Sequence, residues 1–180
     1  MRIAISMAAM AGGVLLIAGA VNAQEPATPY PLDVIPDKMP FSTPYGAPIS
    51  LERADAAIKA AVAEATKKGW PMNVAVVDSG GNLMAFARMD GAQLASIAVS
   101  EHKARAAVTF RRPTKAFEEA IQKSGFNYVL TLDGMIGSRG GIPLIVGGKI
   151  IGAIGCSGGA ASQDEAVCSA GAATLNKPRP

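Results

Sequence analysis

The sequence predicts an α/β domain, an antiparallel sheet with helices packed against it. Two turn signals and one helix carry that prediction. Residues 72–77 and 83–89 are β-prone runs joined by Asp78-Ser79-Gly80-Gly81-Asn82, and residues 142–146 and 150–154 flank Gly147-Gly148. Glycines supply the positive φ angles that tight hairpin turns need, so both pairs read as antiparallel. Residues 94–110 read as a helix with two apolar stripes, Ile97, Ala104 and Val108 on one, and Ala95, Val99, Ala106 and Phe110 on the other. A helix apolar on two sides is sandwiched, here between the sheet and a second partner.

The chain has 180 residues, one domain's worth with one core. Aromatics make up only 5% and small residues dominate, which suits helices lying close to a sheet and tight subunit contacts. The formal charge is +3; Arg2 is the only charge among residues 1–23, so losing them leaves +2. That field is too weak for a nucleic-acid footprint, and Arg111-Arg112 reads as a solvated helix end.

Residues 1–23 read as a secretory signal peptide, with Arg2 as its positive start, an apolar run over 3–19 and Val21-Asn22-Ala23 as a small-residue cleavage site. The expected mature chain begins near Gln24 and is periplasmic or secreted. No later stretch is long and apolar enough to cross a bilayer. In an oxidising compartment Cys156 and Cys168 can pair. Sequence does not say whether their Cα atoms come within bridging distance, and two free, small, buried cysteines are the expectation. With neither a CxxC motif nor a Cys/His cluster, a structural zinc site is not expected.

Residues 24–49 form a Pro-rich extended arm, residues 50–176 the domain proper and residues 177–180 a tail. Tyr30, Leu32, Val34, Ile35, Met39, Phe41 and Tyr45 make the arm more apolar than a linker needs, so it is expected to lie on its own domain or on a neighbouring subunit. The first helix spans 50–68, capped by Ser50 and closed by Lys67-Lys68-Gly69, with Leu51, Ala54, Ile58, Ala61, Val62 and Ala65 on its buried face. The first hairpin follows, where Asp78 reads as a turn-maker bonding its own backbone. After the two-striped helix, Arg111-Arg112-Pro113 ends the segment and Thr114 can cap a helix over 115–123. Residues 127–138 read as a short strand or buried loop, with Met135-Ile136 as an edge strand. The second hairpin carries Gly152 and Gly155, which suggest close approach of another backbone or a flat ligand. The last helix starts at Ser162, which has capping-box spacing to Glu165, and runs to Leu175.

The ordered set Val74-Ala75-Val76-Val77-Asp78-Ser79-Gly80-Gly81, Ala87-Arg88-Met89-Asp90-Gly91, Arg112-Pro113-Thr114, Gly140-Gly141-Ile142-Pro143-Leu144 and Gly152-Ala153-Ile154-Gly155-Cys156-Ser157-Gly158-Gly159 with Gln163-Asp164-Glu165 resembles the GlcG/HbpS family of haem-binding proteins. It is similar, too, to the C-terminal domain of the PduO cobalamin adenosyltransferases. The resemblance runs from about Ser50 to Leu175; Cys156 stands where the family usually has Val. It implies a five-stranded antiparallel sheet with helices on both sides, a profilin- or PAS-like α/β/α sandwich. It also implies homo-oligomers, often octamers, and haem binding, with exported members scavenging, sensing or degrading haem. The adenosyltransferase activity belongs to the other PduO domain.

Haem iron takes His, Cys, Met or Tyr as its axial ligand. His102, the only histidine, is the metal-ligand candidate; the plainer reading is a packed histidine bonded to a carbonyl. Glu101 and Lys103 beside it read as solvated. Arg112, Thr114 and Arg139 are candidates for holding propionates or another anion, since an arginine fork matches a carboxylate. Asp164 and Glu165 can be read as an acid–base pair, but acids gather at helix N-termini for dipole reasons alone. No Ser-His-Asp or Cys-His pairing is legible, so the balance falls against an enzyme. The expected function is exported, oligomeric haem binding in uptake, storage or sensing. The alternatives are an enzyme or accessory factor for a small carboxylate or carbonyl compound, and a purely structural subunit.

Overall fold

The computed structural model describes residues 31–175, which divide into two units between Asp37 and Lys38. The first unit holds a single described turn of 3-10 helix, Pro31–Asp33, with Leu32, Val34 and Ile35 exposed. The expected signal peptide, the start near Gln24 and the tail from residue 177 lie outside the described residues.

The second unit runs α1 (Leu51–Lys68), β1 (Asn73–Asp78), β2 (Leu83–Arg88), α2 (Ala95–Thr109), α3 (Lys115–Gln122), β3 (Gly141–Val146), β4 (Lys149–Ser157) and α4 (Ala161–Ala172). The strands pair antiparallel in the order β2-β1-β4-β3. The sheet has four strands, not the five that the resemblance implied. Where β1 ends, β4 instead meets the chain ahead of α1. Ile150 N–H donates to the Pro44 carbonyl (2.8 Å), Gly46 N–H to Ile150 (2.7 Å) and Ile49 N–H to Ile151 (2.8 Å), making an isolated parallel bridge at Tyr45. Pro44 and Pro48 have no N–H to give a ladder, so this edge stays a bridge and does not become a strand.

The sheet is buried on both sides by strand alternation. Val74 and Val76 of β1 point into a core with Ala54, Ala57, Ile58 and Ala61 of α1 and Val167, Cys168 and Ala172 of α4. Ala75 and Val77 point the other way, into a smaller core with Ala104, Ala107 and Val108 of α2. α1 begins as its sequence dictates: Ser50 Oγ accepts from Arg53 N–H, and Gly69 closes the helix at φ 69°. Leu51, expected on the buried face, is exposed because it stands in the first turn, ahead of the packed stripe. In the first hairpin Asp78 Oδ1 accepts from the N–H groups of Gly80 (2.8 Å) and Asn82 (2.9 Å), as a turn-making aspartate does.

The other expectations need correction. The sheet side of α2 keeps Ala104 and Val108 of the expected stripe but is otherwise small and polar, with Ser96, Ser100, Lys103 and Ala107 buried beside them. Small residues are required there because the helix backbone lies directly on the sheet's glycines. A Cβ on Gly155 would collide with the Ser100 carbonyl and Ala104 N, and one on Gly141 with the Lys103 carbonyl. Met135-Ile136 form no strand; residues 127–131 wind into a 3-10 helix, and Asp133, Gly134 and Gly137 keep the following chain in turns. α4 is capped two residues earlier than expected: Gln163 Oε1 accepts from Ala160 N–H (2.8 Å), and Ser162 lies inside the first turn. Cys156 and Cys168 are joined in a disulfide that ties β4 to α4, their Cα atoms 5.5 Å apart, where free thiols were expected. Cys168 lies on the face of α4 that rests on β4, which brings the two within reach.

Candidate functional site

His102 lies midway along α2, half-buried, with Nε2 3.2 Å from the Gly134 carbonyl. A carbonyl only accepts, so the contact is a hydrogen bond when Nε2 carries the ring proton. Arg112 lies past the last helical residue, Thr109, and its N–H turns back to the Ala107 carbonyl (3.2 Å). Arg111 turns the chain with a φ of 54°, in the left-handed region that few bulky residues occupy.

Arg112 sits among rings. Its guanidinium carbon is 3.4 Å from the Phe41 ring centre, 5.0 Å from Phe117 and 5.9 Å from Phe110. Phe110 and Phe117 themselves meet edge to face at 5.0 Å. Arg112 Nε donates to the Phe110 carbonyl (3.2 Å). Burial draws its pKa below the ordinary value; Tyr128 opposes that and Arg111 adds to it. The group stays charged at neutral pH all the same.

Thr114 and Arg139 are engaged elsewhere. Thr114 is fully buried and does not cap α3 with its side chain; its Oγ1 accepts from Gly141 N–H (3.0 Å), and its own N–H donates to the Gly141 carbonyl (3.0 Å). Arg139 Nε donates to Glu118 Oε1 (2.7 Å) and its Nη1 to Glu165 Oε2 (3.1 Å), while its N–H reaches Glu118 Oε2 (2.8 Å). Lys115 Nζ completes the group, 3.3 Å from Glu165 Oε1. The Glu118 carboxylate, above all, raises the Arg139 pKa.

Lys103 overturns its expectation most clearly. It is not a solvated neighbour of His102 but 1% exposed, with Nζ 2.7 Å from Asp164 Oδ2. Asp164 Oδ1 also accepts from Gly159 N–H (3.1 Å), so this acid is the anchor of α4. The signal was present in the spacing. Gly141 and Gly155 demand a close helix, and the face carrying Ser96, Ser100 and Ala107 also carries Lys103, where a buried lysine needs a carboxylate.

One segment lies beside His102. At the far end of residues 127–134, Gly134 meets the His102 ring. Within it Tyr128, Leu130 and Leu132 are 51%, 60% and 38% exposed. Phe126 adds a ring 6.1 Å from Tyr128. Among the described residues no group of three or more His, Cys, Asp or Glu is placed to hold a metal ion.

Similarity to known proteins fits this architecture. The family described as "Haem degrading protein HbpS-like" matches residues 49–173. The protein GlcG of Escherichia coli K12 is 40% identical over 109 residues, 61% of this chain and 81% of its own length. A crystal structure of a Streptomyces reticuli HbpS double mutant superposes with a TM-score of 0.67 at 30% identity, covering 80% of this chain and 97% of that one. The crystal structure described as a PduOC:Heme complex superposes at 0.65 with 27% identity, covering 72% and 96%. The chain belongs to the HbpS-like family, which includes GlcG.

Proposed function

We propose that this chain binds haem on the open face of residues 127–134, with His102 at one end and Arg112 at the other. The observation that carries the reading is that run of exposed apolar side chains beside the His102 ring, and the proposal sets Arg112 at its other end. The residues fit the group. A flat apolar ring needs an apolar surface, its carboxylates a cation, and its iron a donor such as imidazole. His102 turns from the Gly134 carbonyl to offer a ring nitrogen; Arg112 keeps its Nη edge for a carboxylate. Bound haem would supply an iron centre with an axial position. Thr114 and Arg139 would join only by giving up Gly141, Glu118 and Glu165. The haem named in one neighbour's description supports the ligand class.

The finer parts of the proposal follow the same lines. Export to a periplasm or the outside is supported by the Cys156–Cys168 disulfide, since such bonds persist in oxidising compartments. No described helix is long and apolar enough to cross a membrane. Homo-oligomerisation is supported by Leu83 and Leu94, both exposed on the domain. Uptake, storage or sensing is the proposed role, and helices on both faces of the sheet the proposed sandwich type, one that the alternation of β1 supports.

Titration of the mature protein with haemin, followed by the Soret band, tests the binding. A saturable, shifted band that His102→Ala removes is the expected result. A saturable band unchanged by that substitution rejects His102 as ligand, and no saturable band at micromolar haemin rejects the haem reading.

A further inference from the structure

The chain ahead of α1 is more than a lead-in. Residues 44–49 are fastened to β4 through the hydrogen bonds at Pro44, Gly46 and Ile49. Tyr45 Oη lies 3.0 Å from the carbonyls of both Val108 and Thr109 and shares its one proton between them, at a helix end where the Val108 carbonyl also accepts from Arg111 N–H (3.2 Å). Arg111 lies over the Tyr45 ring at 5.7 Å. This anchoring fixes where Phe41 can reach.

Phe41 reaches Arg112. At 3.4 Å the guanidinium carbon lies directly over the Phe41 ring, with Phe117 also within cation–π range. Phe41 holds a φ of 57°, a backbone region that a bulky side chain rarely takes. Strain of that kind persists where the surroundings over-determine it, and clusters at ligand clamps. Phe41 remains 40% exposed, so burial of its ring does not account for the arrangement. Meanwhile Arg112 spends Nε on the Phe110 carbonyl, and among the described residues nothing accepts from its Nη groups. A guanidinium with one face stacked, one edge bonded and the other edge free is held ready for a two-pronged anion.

We propose that Phe41 positions Arg112 for a carboxylate, so that the segment ahead of α1 completes the anion-holding end of the site. Phe41 is a positioning residue: it touches the arginine, and the arginine touches the ligand. The ligand class is a carboxylate-bearing flat ring. This rests on the haem-face reading above, in which Arg112 takes a propionate.

The test compares wild type, Phe41→Ala, Phe41→Trp, Arg112→Ala and the Phe41→Ala/Arg112→Ala double variant, each titrated with haemin and with its dimethyl ester. Phe41→Ala is expected to weaken haemin about fivefold, the size of one half-exposed cation–π contact, and Phe41→Trp to restore it. In the Arg112→Ala background Phe41→Ala should do nothing further, and the ester should bind every variant alike. An equal loss for the ester, or in the Arg112→Ala background, overturns the proposal. A second readout needs no haem: the rate at which phenylglyoxal modifies Arg112, read by peptide mass spectrometry. Phe41→Ala should raise that rate several-fold and Phe41→Trp should not. If no variant binds haemin, the haem-face reading fails alone, and an unchanged phenylglyoxal rate is what rejects the positioning by Phe41.

Discussion

Lys103 Nζ lies 2.7 Å from Asp164 Oδ2, and the two side chains are 1% and 4% exposed. The pair joins α2 to the first turn of α4, and Gly140 leaves it room: a Cβ there would stand 2.9 Å from Asp164 Cβ and 3.2 Å from Lys103 Nζ. Breaking such a pair from one side strands a buried charge. Lys103→Met should therefore destabilise the fold by about 3–5 kcal/mol, and adding Asp164→Leu should recover part of that loss. Urea unfolding of the single and double variants checks it. A single variant within 1 kcal/mol or so of wild type would contradict the account.

The Cys156–Cys168 bond closes a short loop, with a sequence separation of 12, between a strand and a helix that share the larger core. Constraining the unfolded chain over such a loop is worth about 3 kcal/mol. The Cys156→Ala/Cys168→Ala variant should lose that much plus a small packing term. Both sulfur-bearing residues are fully buried, so thiols made by reduction should react with an alkylating agent only after unfolding. Melting with and without reductant, followed by mass measurement of alkylation, reads both.

Gly155 and Gly147 separate two uses of glycine. At Gly155 the α2 backbone fills the space where a Cβ would stand, so Gly155→Ala must push the helix off the sheet, at a cost of about 1–3 kcal/mol. Gly147 has nothing around it and a φ of 59°, a left-handed conformation that Asn tolerates. Gly147→Asn should cost well under half as much, as paired denaturant melts would show.

Asp78 gives the fold one pH-dependent contribution. Slight burial pushes its carboxyl up, but hydrogen bonds from Asn82, Gly80 and Gly81 outweigh this and leave it below its ordinary value. A depressed folded pKa stabilises the fold above the unfolded value, about 3.9, and that gain disappears as pH falls through the folded value beneath it. The stability gap between wild type and Asp78→Asn should thus be present at neutral pH and close below about pH 4. Urea midpoints measured from neutral to acid pH decide it; a gap constant over that range would contradict the assignment.

Much of the frame was legible because it rests on local chemistry. Ser50 and Gly69 end α1, Asp78 and Asn82 make one turn, and Gly147-Gly148 make the other, each through groups a few residues apart. What escaped depends on partners far along the chain. Lys103 meets Asp164 across 61 positions, so its place on the small-residue face of α2 marks its burial while nothing local names the carboxylate that answers it. Residues 127–138 pack few side chains, so their apolar content suggested a strand while turn formers set the path. At the site, residue types pointed to His102 and Arg112. Sequence gave no hint that Gly141 occupies Thr114 or that Glu118 and Glu165 close the Arg139 fork.

The central claim is that haem lies along residues 127–134 between His102 and Arg112, and backbone amide hydrogen exchange with and without haemin tests it most directly. The account predicts that haemin slows exchange across residues 127–134 and around Phe41 and Arg112, with β1 and α1 unchanged. Protection confined to another surface, such as the Gly80-Gly81 turn or the exposed side of α1, would contradict it.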